Sequence, residues 1–334
     1  MSAISDFPCW LVDRDAVGGL VSAPTRKALV DLPRGDVLLK VEWSSLNYKD
    51  GLAATGHPGV AKRLPQVPGI DAVGIVEESA DPRFAVGSRV LVAGGEFGAG
   101  AWGGWSGFAR APADLVVPLS DGLDPVEAIS LGVAGFTAAL SVKRLVDHGV
   151  TPGSGEILVT GATGGVGCVA VMILAKLGYR AVAMTGKSDK ADWLRGLGAS
   201  RVVDRSELSK GGDAPLLKSA WAAGVDTVGG APLAALIRST KTGGCVTTCG
   251  LVAGDDLVLT VHPFILRGIA LYGIDSAWTP REKKLEVWKR LAGEWKPDRL
   301  ADIARRVGLS ALGPEIEAIL AGKISGRTIV EVNR

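Results

Sequence analysis

The spacing of apolar positions changes character partway along the chain. Up to Pro125 the apolar stretches are short and partly alternate with polar residues, as in Asp36–Trp43, Gly69–Glu77 and Gly87–Val92. Glycine and proline bound them, which predicts β-strands. Residues 94–107 form a glycine-rich loop that Trp102 and Trp105 are expected to order. After Pro125 the period becomes helical, over Val126–Leu131 and Phe136–His148. From Glu156 onward strands are predicted at Ile157–Thr160, Ala181–Met184, Arg201–Val203, Gly224–Val228 and Gly244–Cys249. Helices are predicted between them at 167–177, 188–197, 214–223 and 231–240. Ala270–Ile274 reads as one more strand, and the tail from Pro280 as two helices followed by a strand, Arg327–Val332. A terminal strand must pair somewhere, and the β-rich N-terminal part is the expected host.

Strands that alternate with helices mean a doubly wound parallel sheet. The fold class is therefore α/β, a Rossmann-type sheet joined to a β-rich domain. At 334 residues the chain exceeds the size at which single cores stop growing. We expect a first domain at 1–127, a second at 128–277, and a return to the first over 278–334. A net charge of +2 gives no electrostatic case for nucleic acid or a membrane surface. No apolar run is expected to reach the length of a membrane span. The N-terminus lacks a charged segment followed by an apolar one, so no signal peptide is expected. Cys9, Cys168, Cys245 and Cys249 fit neither a disulfide framework nor a zinc ribbon. Free thiols in a reducing cytoplasm are expected.

The strongest chemical signal is the turn after the first strand of the α/β part. Ala162-Thr163-Gly164-Gly165-Val166-Gly167 stands between an apolar strand and an apolar helix. In that context small residues let backbone N–H groups of Thr163, Gly164, Gly165 and Val166 approach a dinucleotide pyrophosphate, and the helix N-terminus adds positive charge. An NAD site places an acid about 20 residues on, to accept from the ribose 2′-hydroxyl. Here the following strand ends in Thr185-Gly186-Lys187, with no acid. A cation and hydroxyls at that point welcome a 2′-phosphate, which predicts NADPH. Arg205 either flanks the same phosphate or is an ordinary surface charge.

With these residues in view, the whole chain resembles the medium-chain dehydrogenase/reductase superfamily. The likeness rests on Trp43–Asp50, Pro68–Asp71, Gly132–Thr137, the glycine turn, Asp226–Gly230, Gly243–Cys245 and Ile324–Thr328. Ser44–Asp50 and Ile274–Ser276 are most similar to the zinc-independent, quinone-oxidoreductase-like branch, and within it to bacterial NADPH-dependent acrylyl-CoA reductases. The resemblance implies a chaperonin-10-like catalytic domain, a Rossmann domain, and a homodimer joined edge to edge through the Rossmann sheets. It also implies a cleft where nicotinamide meets a small acyl-CoA or enone.

Zinc-dependent relatives place Cys where Asn47 stands and His-Glu where Ile70-Asp71 stands. The histidines here are His57, His148 and His262, with no cysteine pattern around them. Zinc needs three or four ligands in one place, so no metal is expected. Without a Lewis acid, reduction of a C=C conjugated to a carbonyl is the easier chemistry. Hydrogen-bond donors can hold the enolate while a proton reaches Cα. The resemblance puts Asn47 and Tyr48 at the start of the helix lining the cleft. Tyr48 is the candidate for nicotinamide placement and proton donation. Asn47 is the candidate amide donor, or a helix N-cap, or both. Asp50 is expected to orient Lys49 or Tyr48. Arg327 would suit a phosphate or carboxylate, or else a surface ion pair. Leu251, Ile265 and Ser276 are expected beside the nicotinamide, with core packing the other reading for the first two. Three activities stay open: reduction of acrylyl-CoA, reduction of quinones or general enones, and nucleotide binding without turnover.

Overall fold

The computed structural model describes residues 6–212 and 214–333, which pack as two units. The first comprises residues up to Val133 together with Ala277–Ala292 and Leu300–Arg334; the second comprises Ala134–Ser276 and Gly293–Arg299. The crossings fall after Val133 and after Ser276 rather than after 127 and 277, and a short stretch near 296 goes with the second unit.

The first unit begins with a hairpin, β1 (Phe7–Arg14) against β2 (Leu20–Lys27). Its main sheet contains β3 (Val37–Leu46), β4 (Asp71–Ser79), β5 (Arg89–Ala93), β6 (Phe108–Ala111) and β7 (Val116–Pro118). Helix α1 (Tyr48–Ala54) lies between β3 and β4 in sequence. Buried Phe7, Trp10, Leu39, Val41, Trp105 and Val330 belong to its core. The loop at 94–107 is ordered as its tryptophans foretell. Trp105 Nε1 donates to Ser45 O at 2.9 Å and Trp102 Nε1 to Pro65 O at 2.9 Å.

Helix α2 (Pro125–Asp147) follows, broken at Gly132, where φ is 50° and ψ is −153°. It joins the two helices expected at 126–131 and 136–148. By length and composition α2 could cross a membrane, which corrects the expectation that no segment would; 78% of its apolar window is buried in protein. Here its apolar length serves a core.

The second unit carries a six-stranded parallel sheet. Its strands are β8 (Glu156–Val159), β9 (Arg180–Thr185), β10 (Arg201–Asp204), β11 (Trp221–Asp226), β12 (Thr240–Thr248) and β13 (Ala270–Gly273). The order β10-β9-β8-β11-β12-β13 is doubly wound about β8. Helices α3 (Gly165–Lys176), α4 (Ala191–Gly196), α5 (Gly230–Ser239) and α6 (His262–Arg267) connect the strands. The helix expected at 214–223 does not form. Residues 205–211 are a 3₁₀ turn, and β11 begins already at Trp221. Every residue of β11 is buried, and a continuous apolar run in a strand covered on both faces carries no period that separates it from a helix.

The tail returns to the first unit as α7 (Arg281–Leu291), β14 (Ala304–Gly308), α8 (Leu312–Leu320) and β15 (Arg327–Glu331). β15 pairs antiparallel with β3, setting Thr328 opposite Leu46 and Glu331 opposite Trp43. The terminal strand thus finds the host the sequence foretold. Strand β14, parallel to β15, was not anticipated. Its Ala-Arg-Arg-Val-Gly has too few apolar residues to signal a strand.

Candidate functional site

In the second unit, the chain leaves β8 at Thr160 and turns through Gly161, whose φ is 57°. Gly164 N donates to Gly161 O at 2.9 Å, and Ala162 N donates to Met184 O at 3.0 Å. These bonds fix the turn to β9. A Cβ on Gly167 would strike the Gly161 carbonyl oxygen and lie 2.8 Å from Ala162 Cα. Gly167 is therefore the close-packing glycine of the motif, and Gly164 is the N-cap of α3. Gly164, Gly165 and Val166 are only half-buried. The first turn of a helix has N–H groups with no intrahelical partner, so this turn is an open anion cradle.

The next strand ends beside it. Thr163 Oγ1 lies 3.4 Å from Thr185 Oγ1, which also accepts from Lys187 N at 3.0 Å. Arg205 lies against Gly186. A Cβ at Gly186 would sit 3.0 Å from Arg205 Nε and 3.2 Å from Cζ. The absence of a side chain at 186 makes room for the guanidinium, and Lys187 follows it. Burial lowers the Lys187 amine below its usual value, with Asp189 opposing that shift and Lys190 adding to it. The structure thus groups Thr185, Gly186, Lys187 and Arg205 at one strand end.

Asp226 had no assigned role in the sequence reading, yet it ties the sheet together at this end. Its carboxylate accepts from Thr160 Oγ1 at 2.8 Å, Gly229 N at 2.9 Å and Thr248 Oγ1 at 3.1 Å. That joins β8, β11 and β12 at their C-terminal ends, where ligands bind open α/β sheets. Burial raises its carboxyl, and these donors oppose the rise. Leu251 and Ile265 are 61% and 69% exposed, so core packing does not account for either. Ser276 is half-buried at the end of the unit.

The first unit holds a buried polar cluster at the start of α1. Asn47 is the N-cap residue. Asp50 Oδ2 accepts from Asn47 N at 2.8 Å and Asn47 Nδ2 at 2.9 Å, while Oδ1 accepts from Gly69 N at 3.0 Å and Ile70 N at 2.8 Å. Asp50 therefore orients Asn47 and the 69–70 backbone, not Lys49 or Tyr48 as expected. Burial and then the Asp71 carboxylate push the Asp50 carboxyl up to about 7, against those N–H donors.

Arg327 opens β15 and is 3% exposed. Its Nε donates to Ser130 O at 3.0 Å, Nη1 to Asn47 Oδ1 at 2.9 Å and Nη2 to Ser45 Oγ at 2.7 Å, with Asp71 Oδ2 3.8 Å away. The carboxylate it meets is the protein's own. This corrects both readings made from sequence, a ligand phosphate or carboxylate and a surface ion pair. Asn47 is corrected in the same way as an amide donor to substrate, since Nδ2 faces Asp50, Ser45 at 3.1 Å and Asp71 at 3.3 Å. Tyr48 is different: it is the first residue of α1 and 37% exposed. Among the described residues there is no group of three or more His, Cys, Asp or Glu side chains suited to a metal ion.

Comparison with known proteins agrees with this architecture. The alcohol dehydrogenase GroES-like domain family matches residues 33–121, and the zinc-binding dehydrogenase family matches residues 165–292. The acrylyl-CoA reductase AcuI of Ruegeria pomeroyi is 45% identical over 328 residues, covering 98% of this chain and 99% of that protein. The structure of Escherichia coli YhdH with bound NADPH superposes with a TM-score of 0.93 at 43% identity, covering 97% of this chain and 100% of that one. YhfP of Bacillus subtilis, named a putative quinone oxidoreductase, is 46% identical over 303 residues, 90% of this chain and 92% of its own. The YhfP structure with NAD bound has a TM-score of 0.94, at 43% identity, over 98% of this chain and 99% of that one. On sequence and fold together, the chain belongs to the medium-chain dehydrogenase/reductase superfamily, in the quinone-oxidoreductase-like branch that includes the bacterial acrylyl-CoA reductases.

Proposed function

We propose that this protein reduces the C=C bond of a short 2-enoyl-CoA with NADPH, converting acrylyl-CoA to propionyl-CoA without a metal. The observation that carries the reading is the cationic strand end at Thr185, Gly186, Lys187 and Arg205 beside an open glycine cradle. The near-full-length likeness to an acrylyl-CoA reductase supports the substrate. When bound, NADPH supplies the hydride that goes to Cβ. Backbone N–H groups of Thr163, Gly164, Gly165 and Val166 hold the pyrophosphate. Thr185, Lys187 and Arg205 hold the 2′-phosphate. Leu251, Ile265 and Ser276 flank the nicotinamide. The Tyr48 hydroxyl, held at the start of α1, helps place the nicotinamide and provides the proton for Cα.

Lys187→Ala is expected to lower the NADPH-to-NADH ratio of kcat/KM by about tenfold, the loss of one charge-assisted hydrogen bond of roughly 1.5 kcal/mol. An unchanged ratio would remove Lys187 from cofactor choice.

The donor set does not suit zinc. Asn47 and Ile70 are not zinc ligands, and the Arg327 guanidinium lies among Asn47, Ser45 and Asp71. Stoichiometric zinc in the purified protein, with activity lost to a chelator, would overturn the metal-free reading. A cytoplasmic homodimer fits the four free cysteines and β13 at an edge of its sheet; light scattering tests the assembly.

The deciding experiment follows NADPH consumption with acrylyl-CoA, crotonyl-CoA and a benzoquinone in parallel, with NADH as a control. Fast turnover of acrylyl-CoA supports the proposal. Turnover of the quinone alone moves the protein to the quinone-reductase reading, which the YhfP likeness favours. NADPH binding with no turnover of any acceptor leaves a nucleotide-binding protein.

A further inference from the structure

A side-chain cation lies buried beside the start of α1, among Asn47, Ser45 and Asp71. Arg327 is almost wholly buried, and its Nε and both Nη atoms are engaged by Ser130 O, Asn47 Oδ1 and Ser45 Oγ. Ser45 Oγ donates in turn to Asp71 Oδ1 at 2.6 Å, and Asp71 Oδ2 accepts from Val133 N at 2.8 Å. Gly132 leaves the space for this. A Cβ there would run into Asp71 Oδ2 and lie 2.9 Å from Arg327 Nη2, and its φ of 50° is one that a side-chain-bearing residue rarely adopts.

We infer that Arg327 is a positioning residue that fixes Asn47 and, through the Asn47–Asp50 pair, the first turn of α1 that bears Tyr48. A planar fork suits this task, because one guanidinium reaches three acceptors lying in different directions and cannot lose its proton. A buried cation so engaged also balances a buried carboxylate, which by itself is costly. Asn47 transmits the constraint: its Oδ1 is held by Arg327, while its Nδ2 and its backbone N–H are held by Asp50. The inference rests on the reading of Tyr48 as the hydroxyl that serves the substrate. It assigns Arg327 no contact with substrate or cofactor.

The test compares wild type with Arg327→Ala and Arg327→Lys, well below the unfolding temperature. It reads kcat, KM for acrylyl-CoA, NADPH affinity by fluorescence titration, and recovery of kcat on adding millimolar guanidinium or methylammonium. We expect Arg327→Ala to lose about 10²-fold in kcat, the scale of a misplaced reacting group, with NADPH affinity nearly unchanged. Guanidinium should restore part of the loss and methylammonium should not; lysine should substitute poorly. A rise in KM for acrylyl-CoA with kcat intact would overturn the inference, since Arg327 would then bind substrate. A lowered unfolding temperature with normal kcat would overturn it too, leaving a purely structural residue. If Arg327→Ala does not fold, Asp71→Asn, which weakens the ion pair while keeping the shape, is measured in the same way and must lower kcat with NADPH affinity kept. The assays are run with a benzoquinone as well. A wild-type enzyme that turns over only the quinone would defeat the proposed substrate, while guanidinium recovery would still report on Arg327.

Discussion

Tyr48→Phe is expected to lower kcat for acrylyl-CoA reduction by about 10²-fold, the usual contribution of a positioned acid–base group. The substitution removes one oxygen and keeps the ring, so packing at the start of α1 is preserved. Tyr48 is 37% exposed in the first turn of α1, beside residues whose own polar atoms are committed to one another. It is therefore the group in this cluster that faces outward with a hydroxyl to give. Steady-state rates at saturating NADPH decide the matter, and a rate near that of wild type would remove the hydroxyl from the mechanism.

Asp50→Asn should have a comparably large effect, on stability and on its pH dependence. Both Asp50 oxygens accept N–H bonds, from Asn47, Gly69 and Ile70. An amide in place of the carboxylate turns an NH₂ group toward such donors, and unmatched buried polar groups cost about 1–3 kcal/mol each. The pH dependence runs opposite to that of most aspartates. The folded carboxyl is raised to about 7 from an ordinary value near 4, so between those values the folded state holds the proton more firmly than the unfolded chain. This contribution to stability is complete below about pH 4 and is lost as pH rises to about 7. The Asn variant lacks that slope. The stability gap between wild type and Asp50→Asn should therefore be wider at pH 5 than at pH 8 in urea unfolding. Equal gaps at the two pH values would mean that this carboxyl is not raised into that range in the folded protein.

How far each feature could be read from sequence depended on whether its cause was local. The glycine turn was legible because strand, turn and helix are adjacent, and a Gly at 167 is demanded by the backbone of residues 161 and 162. The Lys187 and Gly186 signal was legible by counting along one βαβ unit. Strand β11 was misjudged because its burial on both faces erases any period, and β14 because its pairing partner lies beyond α8 in sequence. Arg327 was assigned the wrong neighbours. Nothing near it in sequence reveals that residues 45, 47, 71 and 130 converge on its guanidinium.

The sequence by itself determined the α/β class, the glycine cradle, the choice of cations over an acid at the strand end, and the return of the last strand to the N-terminal sheet. These follow from local periodicity, turn chemistry and the need of a strand for a partner. Only the tertiary structure decided what Asn47, Asp50, Asp71, Asp226 and Arg327 do. A buried charge has meaning only through the groups that compensate it, and here those groups come from strands and helices far apart in sequence.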